Sequence, residues 1–280
     1  MTLLNPALKD LDWSKVLPYL SVPGEDSPLE LGRDCFHDTS GDRFYPILDG
    51  VPQFMDKPME KKLIDHFDEN AKIFGKASKA VEVVQPIAAL LRKELSRIIG
   101  DGQNSRVLVD VGVGHGQFSA PFTSNHTVFG VDVSHEMLKL THDTGIYPIL
   151  ADGVELPLRS QSIDCSYTIE VLQLFENPLP ILAEMTRILK PGGSLIISTL
   201  YRYSLLRRLN RLIKQQSPDE GTRLRRPHDV IESTAELPLE LVNVSWLMGP
   251  TSFTYRTNKP NWIFSPLASN ILIHLKRKSA

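Results

Sequence analysis

Residues 106–117, R-V-L-V-D-V-G-V-G-H-G-Q, decide the fold. Val107, Leu108, Val109 and Val111 form a short apolar run rich in β-branched side chains, the composition of a strand buried on both faces of a sheet. Asp110 lies inside the end of that run, and Gly112, Gly114 and Gly116 follow at alternate positions. Glycine tolerates positive φ and lets the backbone come close to a ligand. A strand that feeds such a turn and then a helix builds a small-molecule site at the carboxyl edge of an α/β sheet.

The spacing narrows the ligand. A dinucleotide fingerprint, G-x-G-x-x-G, needs glycine at position 117, which is Gln117. In D-x-G-x-G-x-G the carboxylate repels a pyrophosphate but can engage, directly or through water, the ammonium of an amino-acid moiety. That favours S-adenosylmethionine (SAM) over NAD, although a plain tight turn also uses glycines. The next apolar run, Thr127–Val133, ends in Asp132, roughly 20 residues beyond the turn, where a carboxylate accepts from adjacent ribose hydroxyls. A loop or helix-capping acid is the other reading of Asp132. Ser134 can cap the following helix, with Glu136 at its positive end and Met137 inside.

A third strand over Tyr147–Leu150 runs into Asp152 and Gly153, an acid able to accept from an adenine amino group beside a backbone able to reach the ring. A fourth spans Ile163–Ile169 and delivers Glu170 to the same edge. Asn177 and Pro178 open a helix, Lys190-Pro-Gly-Gly193 stops it, and Ser194–Thr199 makes a fifth strand.

The chain has 280 residues, 41% hydrophobic and 23% charged, with a net charge of −2. This is ordinary globular composition with no global signal for nucleic acid. Cys35 and Cys165 are too few and too far apart for a disulfide framework or a zinc site, so no metal is expected. No secretory leader is visible, and no apolar run nears the roughly 20 residues of a bilayer span, so a cytoplasmic protein is expected.

Residues 1–56 read as a small appendage and 57–280 as the main domain. The appendage is broken by Pro18, Pro23, Pro28, Pro46 and Pro52, and Arg43–Met55 reads as a hairpin turned by Asp49-Gly50. Helical periodicity follows. Leu63, Ile64, Phe67, Ala71 and Phe74 share one face, and a second helix from Pro86 carries Leu90, Leu91, Leu95 and Ile99 until Gly100. Phe67 and Phe74 could line a substrate chamber or simply belong to the core.

Taken in order, D-V-G-V-G-H-G, G-V-D-V-S-x-x-M-L, A-D-x-x-x-L-P and R-I-L-K-P-G-G-S-L-I-I-S resemble the class I SAM-dependent methyltransferases of the ubiquinone/menaquinone-type group, over about Lys72 to Leu200. The resemblance implies an α/β, Rossmann-like fold with helices on both faces. Its sheet is seven-stranded and mostly parallel, in the order 3-2-1-4-5-7-6, with strand six in Leu239–Met248 and strand seven in Asn270–Lys276. It implies SAM as cofactor. Asp110, Gly112, Gly114 and Gly116 would form the methionine-end loop and Asp132 would hold the ribose. Val133 and Met137 would flank the adenine, Asp152 and Gly153 would contact it, and the backbone near Ile169 would meet the amino-acid end. The piece ending in Met55 is similar to the last segment of Trm112-type ribbons, without their paired cysteines.

Many relatives carry a histidine pair where this chain has Leu172, Gln173 and Leu174. Glu170 and Gln173 remain as polar candidates near the transfer site. The sulfonium is already a strong electrophile, so alignment and exclusion of water are the main requirements. A base is needed only when the acceptor must lose a proton.

Residues 201–226 read as a basic helical insertion, with Leu205, Leu206, Leu209, Leu212 and Ile213 on one side and Arg202, Arg207, Arg208, Arg211 and Lys214 on the other. A surface helix, a substrate cover with Tyr201 and Tyr203 at the acceptor pocket, and contact with RNA or an anionic membrane all fit. Trp246, Phe253, Tyr255, Trp262 and Phe264 are dense for a loop between two strands. The expectation is methyl transfer from SAM to a small aromatic or lipophilic acceptor. RNA base methylation and a non-catalytic adaptor are the alternatives.

Overall fold

The computed structural model describes residues 11–55, 64, 65, 67–69, 71, 72, 86–100, 102–205, 223, 225–248, 253–257 and 268–279. Its centre is a large sheet built from β5 (Val107–Val111), β6 (Thr127–Asp132), β7 (Tyr147–Leu150), β8 (Ile163–Ile169), β9 (Leu189–Leu200), β10 (Leu239–Met248), β11 (Phe253–Thr257) and β12 (Asn270–Arg277). Their order is β11-β10-β12-β9-β8-β5-β6-β7. The pairs from β7 to β9 are parallel, and β12, β10 and β11 are added antiparallel.

The sheet has eight strands where seven were expected. The additional one is β11, in the aromatic stretch read as a loop: it pairs with β10 and sets Tyr255 opposite Trp246. The segment F-T-Y-R-T is rich in aromatic and β-branched residues, which suits a pleated surface. Trp262 and Phe264 lie outside the described residues.

Each buried strand feeds two cores. In β5, Val107, Val109 and Val111 face one cluster and Leu108 the other, as the two-residue period requires. On the first face α3 (Leu179–Ile188) packs Ile181, Leu182, Met185 and Ile188. On the second, α1 (Pro86–Ile99) packs Leu90, Leu91, Leu95 and Ile99. Each such leucine contributes roughly 1.5–3 kcal/mol of transfer free energy. Pro86 opens α1, and Gly100, at φ 92°, closes it by donating its N–H to the Ser96 carbonyl. The helix opened by Asn177 starts at Leu179, whose N–H donates to Asn177 Oδ1 at 3.0 Å. Lys190–Gly193 is looped out of the ladder, because Ile163 pairs with Leu189 and Cys165 already with Ser194. Residues 64, 65, 67–69, 71 and 72 are helical, whereas Leu63 and Phe74 lie outside the described residues.

Ahead of this core, β1 (Leu29–Leu31), β2 (Cys35–Asp38), β3 (Phe44–Leu48) and β4 (Val51–Pro52) form a four-stranded antiparallel sheet. Asp49 and Gly50, at φ 49° and 75°, make the tight turn between β3 and β4. Just past β4, Gln53 bridges Leu150 in parallel, and the Phe54 N–H donates to the Leu150 carbonyl at 2.8 Å. Trp13, Phe36 and Phe54 share a core with Phe129 and Ile149. The small sheet thus covers the open edge of β7, which would otherwise present unpaired backbone groups.

Candidate active site

The carboxyl ends of β5, β6, β7 and β8 converge on a cleft of about 300 Å³. Gly112 and Gly114 floor one end; Asp132, Val133 and Met137 form a second wall, Asp152 and Gly153 a third, and Ile169 and Glu170 the fourth. These residues are far apart in sequence and are brought together by the parallel register.

Asp132 is the best-held polar group. Its Oδ2 accepts from the Gly114 N–H at 2.8 Å and its Oδ1 from the Ser134 N–H at 3.0 Å, so the strand-end carboxylate fixes the glycine turn. Burial raises its pKa above the ordinary value, against the lowering effect of these backbone donors. Each oxygen keeps a lone pair for a further donor. Ser134 Oγ caps α2 (His135–Lys139) by accepting from the Met137 N–H, which sets Met137 in the cleft wall. Asp152 Oδ1 accepts from the Val154 N–H at 3.1 Å. Glu170 sits at φ 59°, an uncommon conformation for its type, and its Oε1 accepts from Asn270 Nδ2 at 2.6 Å.

Asp110 and Gly116 do not line the cleft. Asp110 is 2% exposed and lies beneath the turn, where Ser119 Oγ donates to its carboxyl and stands 2.6 Å from the Tyr167 hydroxyl. Among the described residues its Oδ1 has no partner, and burial pushes its pKa up to about 7. Through Ser119 it holds the loop that the cleft is built on. At Gly116 a Cβ would meet Ile146 Cδ1 at 2.8 Å, so this glycine is required by packing behind the loop.

Of the catalytic candidates only Glu170 borders the cleft. Gln173 is buried and accepts from Thr199 Oγ1 at 3.3 Å. Tyr201 is buried edge-on against Trp246, and Tyr203 stands partly exposed beside it. The remaining wall, Phe118, Leu174, Phe175 and Ile181 with Phe67, is apolar. Among these, sequence reasoning anticipated only Phe67. The carboxyl-edge rule could have found Leu174 and Phe175, which follow β8; no local signal marks Ile181. His115, within the glycine turn, also lines the cleft, with its pKa lowered by burial.

Residues 109–197 match the family described as a methyltransferase domain. That match takes in about a third of the chain, from β5 to β9 of the large sheet. An uncharacterized protein of Methanocaldococcus jannaschii is 38% identical over 109 residues, 39% of this chain and 52% of that protein. A malonyl-[acyl-carrier protein] O-methyltransferase of Hamiltonella defensa is 34% identical over 142 residues, 48% of this chain and 53% of its own length. A tRNA (carboxymethyluridine(34)-5-O)-methyltransferase of Arabidopsis thaliana is 32% identical over 95 residues, 33% of this chain and 23% of that protein. The chain therefore spans about half the length of the first two relatives and less of the third. Among solved structures, a SAM-dependent methyltransferase of Thermotoga maritima, described as a possible histamine N-methyltransferase, superposes with TM-score 0.60 at 20% identity, covering 77% of this chain and all of that one. That likeness is one of fold. No helix among the described residues is long and apolar enough to cross a membrane.

Proposed function

We propose that this chain transfers a methyl group from SAM to a small acceptor of aromatic or lipophilic character. One observation carries the reading: a 300 Å³ cleft that pairs a glycine floor and two strand-end acids with an apolar outer wall. The volume lies at the lower end of the range for ligand pockets, which suits one cofactor-sized molecule. Gly112 and Gly114 bring bare backbone to the methionine end. Asp132, held by two N–H donors, accepts from the ribose hydroxyls; Val133 and Met137 flank the adenine, and Asp152 and Gly153 meet its edge. SAM supplies an electrophilic methyl when bound. The protein's own work is to orient it and keep water from the sulfonium. Phe118, Leu174 and Phe175 give the apolar surface for that exclusion, and Asn270 fixes Glu170 at the mouth, within reach of a polar acceptor group.

Within the class we place the chain with the ubiquinone/menaquinone-type group, on its ordered motifs, and read residues 1–56 as a Trm112-like ribbon fused ahead of the catalytic domain, 57–280. In that piece the Gly32 N–H donates to the Cys35 carbonyl at 2.8 Å, a tight turn with glycine where a C-x-x-C pair has its first cysteine. We assign acceptor choice to residues 201–226. Tyr201 bridges Arg225, and Arg225 donates to the Phe175 carbonyl at 2.6 Å, so the segment leaves and re-enters the fold beside the cleft wall. Residues 206–222, with most of the apolar and basic faces read from sequence, lie outside the described residues.

RNA is the second reading, favoured by the tRNA-modifying relative. Three of the four described arginines of the segment weigh against it, whereas Arg202 is exposed over the Tyr203 ring. Arg223 pairs with Glu176, Arg226 with Asp229, and Arg225 is spent on backbone carbonyls. Calorimetric titration of the chain with SAM and S-adenosylhomocysteine tests the proposal. Micromolar binding of both, weakened at least roughly tenfold in Asp132→Ala as expected for losing charge-assisted hydrogen bonds, supports it. No binding by folded protein supports the adaptor reading instead, and unchanged affinity in Asp132→Ala overturns the ribose assignment. Salt-dependent RNA binding would move the acceptor to nucleic acid.

A further inference from the structure

Two walls of the cleft rest on the small N-terminal sheet. One, with Ala151, Asp152 and Gly153, follows β7; the other, with Asp132, Val133 and Met137, brackets the start of α2. The segment Asp49–Phe54 meets both. On the β7 side Gln53 bridges Leu150, and the Phe54 N–H donates to the Leu150 carbonyl at 2.8 Å, one residue ahead of Ala151. The Ser21 and Gly24 N–H groups donate to the Pro157 and Leu156 carbonyls, so the same unit also holds the loop that carries Asp152.

On the α2 side the contact is made by side chains. Gln53 Nε2 donates to the Val51 carbonyl at 2.6 Å and stands 3.2 Å from His135 Nδ1. The amide has one proton for each of these acceptors, so Nδ1 is the bare ring nitrogen and Nε2 carries the hydrogen. Nε2 in turn stands 3.4 Å from Asp49 Oδ2. The turn before β4 and the residue after it therefore grip both nitrogens of one imidazole. His135 is the first residue of α2, next to its cap Ser134, whose N–H donates to Asp132 Oδ1.

A helix of five residues has little stability of its own, so its neighbours must orient it. Val51 is fully buried in one core with Leu138 of α2 and Leu150 of β7. That packing holds the three elements together but is not directional. The Gln53–His135 bond is directional and fixes the first turn of α2 relative to the end of β7.

We infer that Gln53 is a positioning residue for the cofactor, acting through His135 to set Asp132 and Met137 against the adenosine half of SAM. The inference rests on the methyl-transfer reading above. Gln53 touches no cofactor atom; it ties the two adenosine-side walls to each other, and the N-terminal unit works as a clamp on the site.

Calorimetric titration of the full chain with S-adenosylhomocysteine, without denaturant, tests this. Gln53→Ala and His135→Ala each weaken binding about fivefold, the worth of one hydrogen bond. The double variant weakens it no further than either single one, because both remove the same contact. His135→Asn stays within about twofold of the unaltered chain, since an asparagine Oδ1 takes the place of Nδ1 and accepts from Gln53. A role for the ring in packing alone is not rescued in this way. Unchanged affinity in Gln53→Ala, additive losses in the double variant, or a His135→Asn affinity as low as that of His135→Ala overturns the inference and leaves the methyl-transfer reading standing. Absence of binding to the unaltered chain overturns both.

Discussion

Gly112→Ala is the sharpest test of how the cleft is made. Gly112 sits at φ 81°, and a Cβ placed there would lie 2.2 Å from Val171 Cγ2 and 3.3 Å from its Cβ. Carbon atoms at optimal separation are roughly 3.5–4.0 Å apart, so more than 1 Å must be recovered by moving Val171 or the turn. Gly114 provides the internal standard, at φ 53° with nothing within 4 Å of its added Cβ. Gly114→Ala should therefore cost only the left-handed conformation, about 1–2 kcal/mol. Gly112→Ala carries a similar strain plus about 1–3 kcal/mol for overpacking. Val171 also lines the cleft, so its displacement narrows the methionine end and lowers SAM affinity. Urea unfolding of the two single variants, with Val171→Ala and Gly112→Ala/Val171→Ala, isolates the contact as a coupling energy. The double variant should recover most of the excess loss. Equal destabilisation of Gly112→Ala and Gly114→Ala, or no coupling to Val171, would refute the reasoning.

The buried carboxyl of Asp110 gives a pH signature. Its pKa rises from 3.8 to about 7, so between these values the folded chain holds a proton that the unfolded chain has released, and stability falls as pH rises. His274, lowered from 6.5 to about 4, acts oppositely across nearly the same window. Asp110→Asn removes only the first effect, so its unfolding free energy should climb more steeply than that of the unaltered chain from pH 5 to 7; parallel profiles would sink the assignment. Glu94 is fully buried and accepts from Arg97, Ser245 and Arg256. The arginines are about 40% exposed and can return to water, so Glu94→Gln should cost only about 1–3 kcal/mol in denaturant unfolding. A loss well above that would mean that the two cations stay trapped without a partner.

Local pattern was enough for the strands. Val107–Val111 and Ile163–Ile169 were readable to the residue, the first as an apolar run closed by the glycine turn and the second as apolar residues at alternate positions. The same held for Asp132, Asp152 and the glycine turn as acids and glycines at strand ends, since a parallel register sends every such end to one edge. What the tertiary structure alone decided depends on side-chain direction and on partners distant in sequence. Asp110, one residue before the end of β5, points under the turn to Ser119 and Tyr167 instead of into the cleft. Gln173 turns to Thr199, Tyr201 to Trp246, and Glu170 is fixed by Asn270, a hundred residues away. The eighth strand, β11, arises because the edge of β10 accepts a short segment rich in aromatic and β-branched residues, and the pairing of Asn243 with His274 arises from strand register. A sequence specifies which residues are buried and where turns fall; which buried polar groups find partners is settled only when the strands are laid side by side.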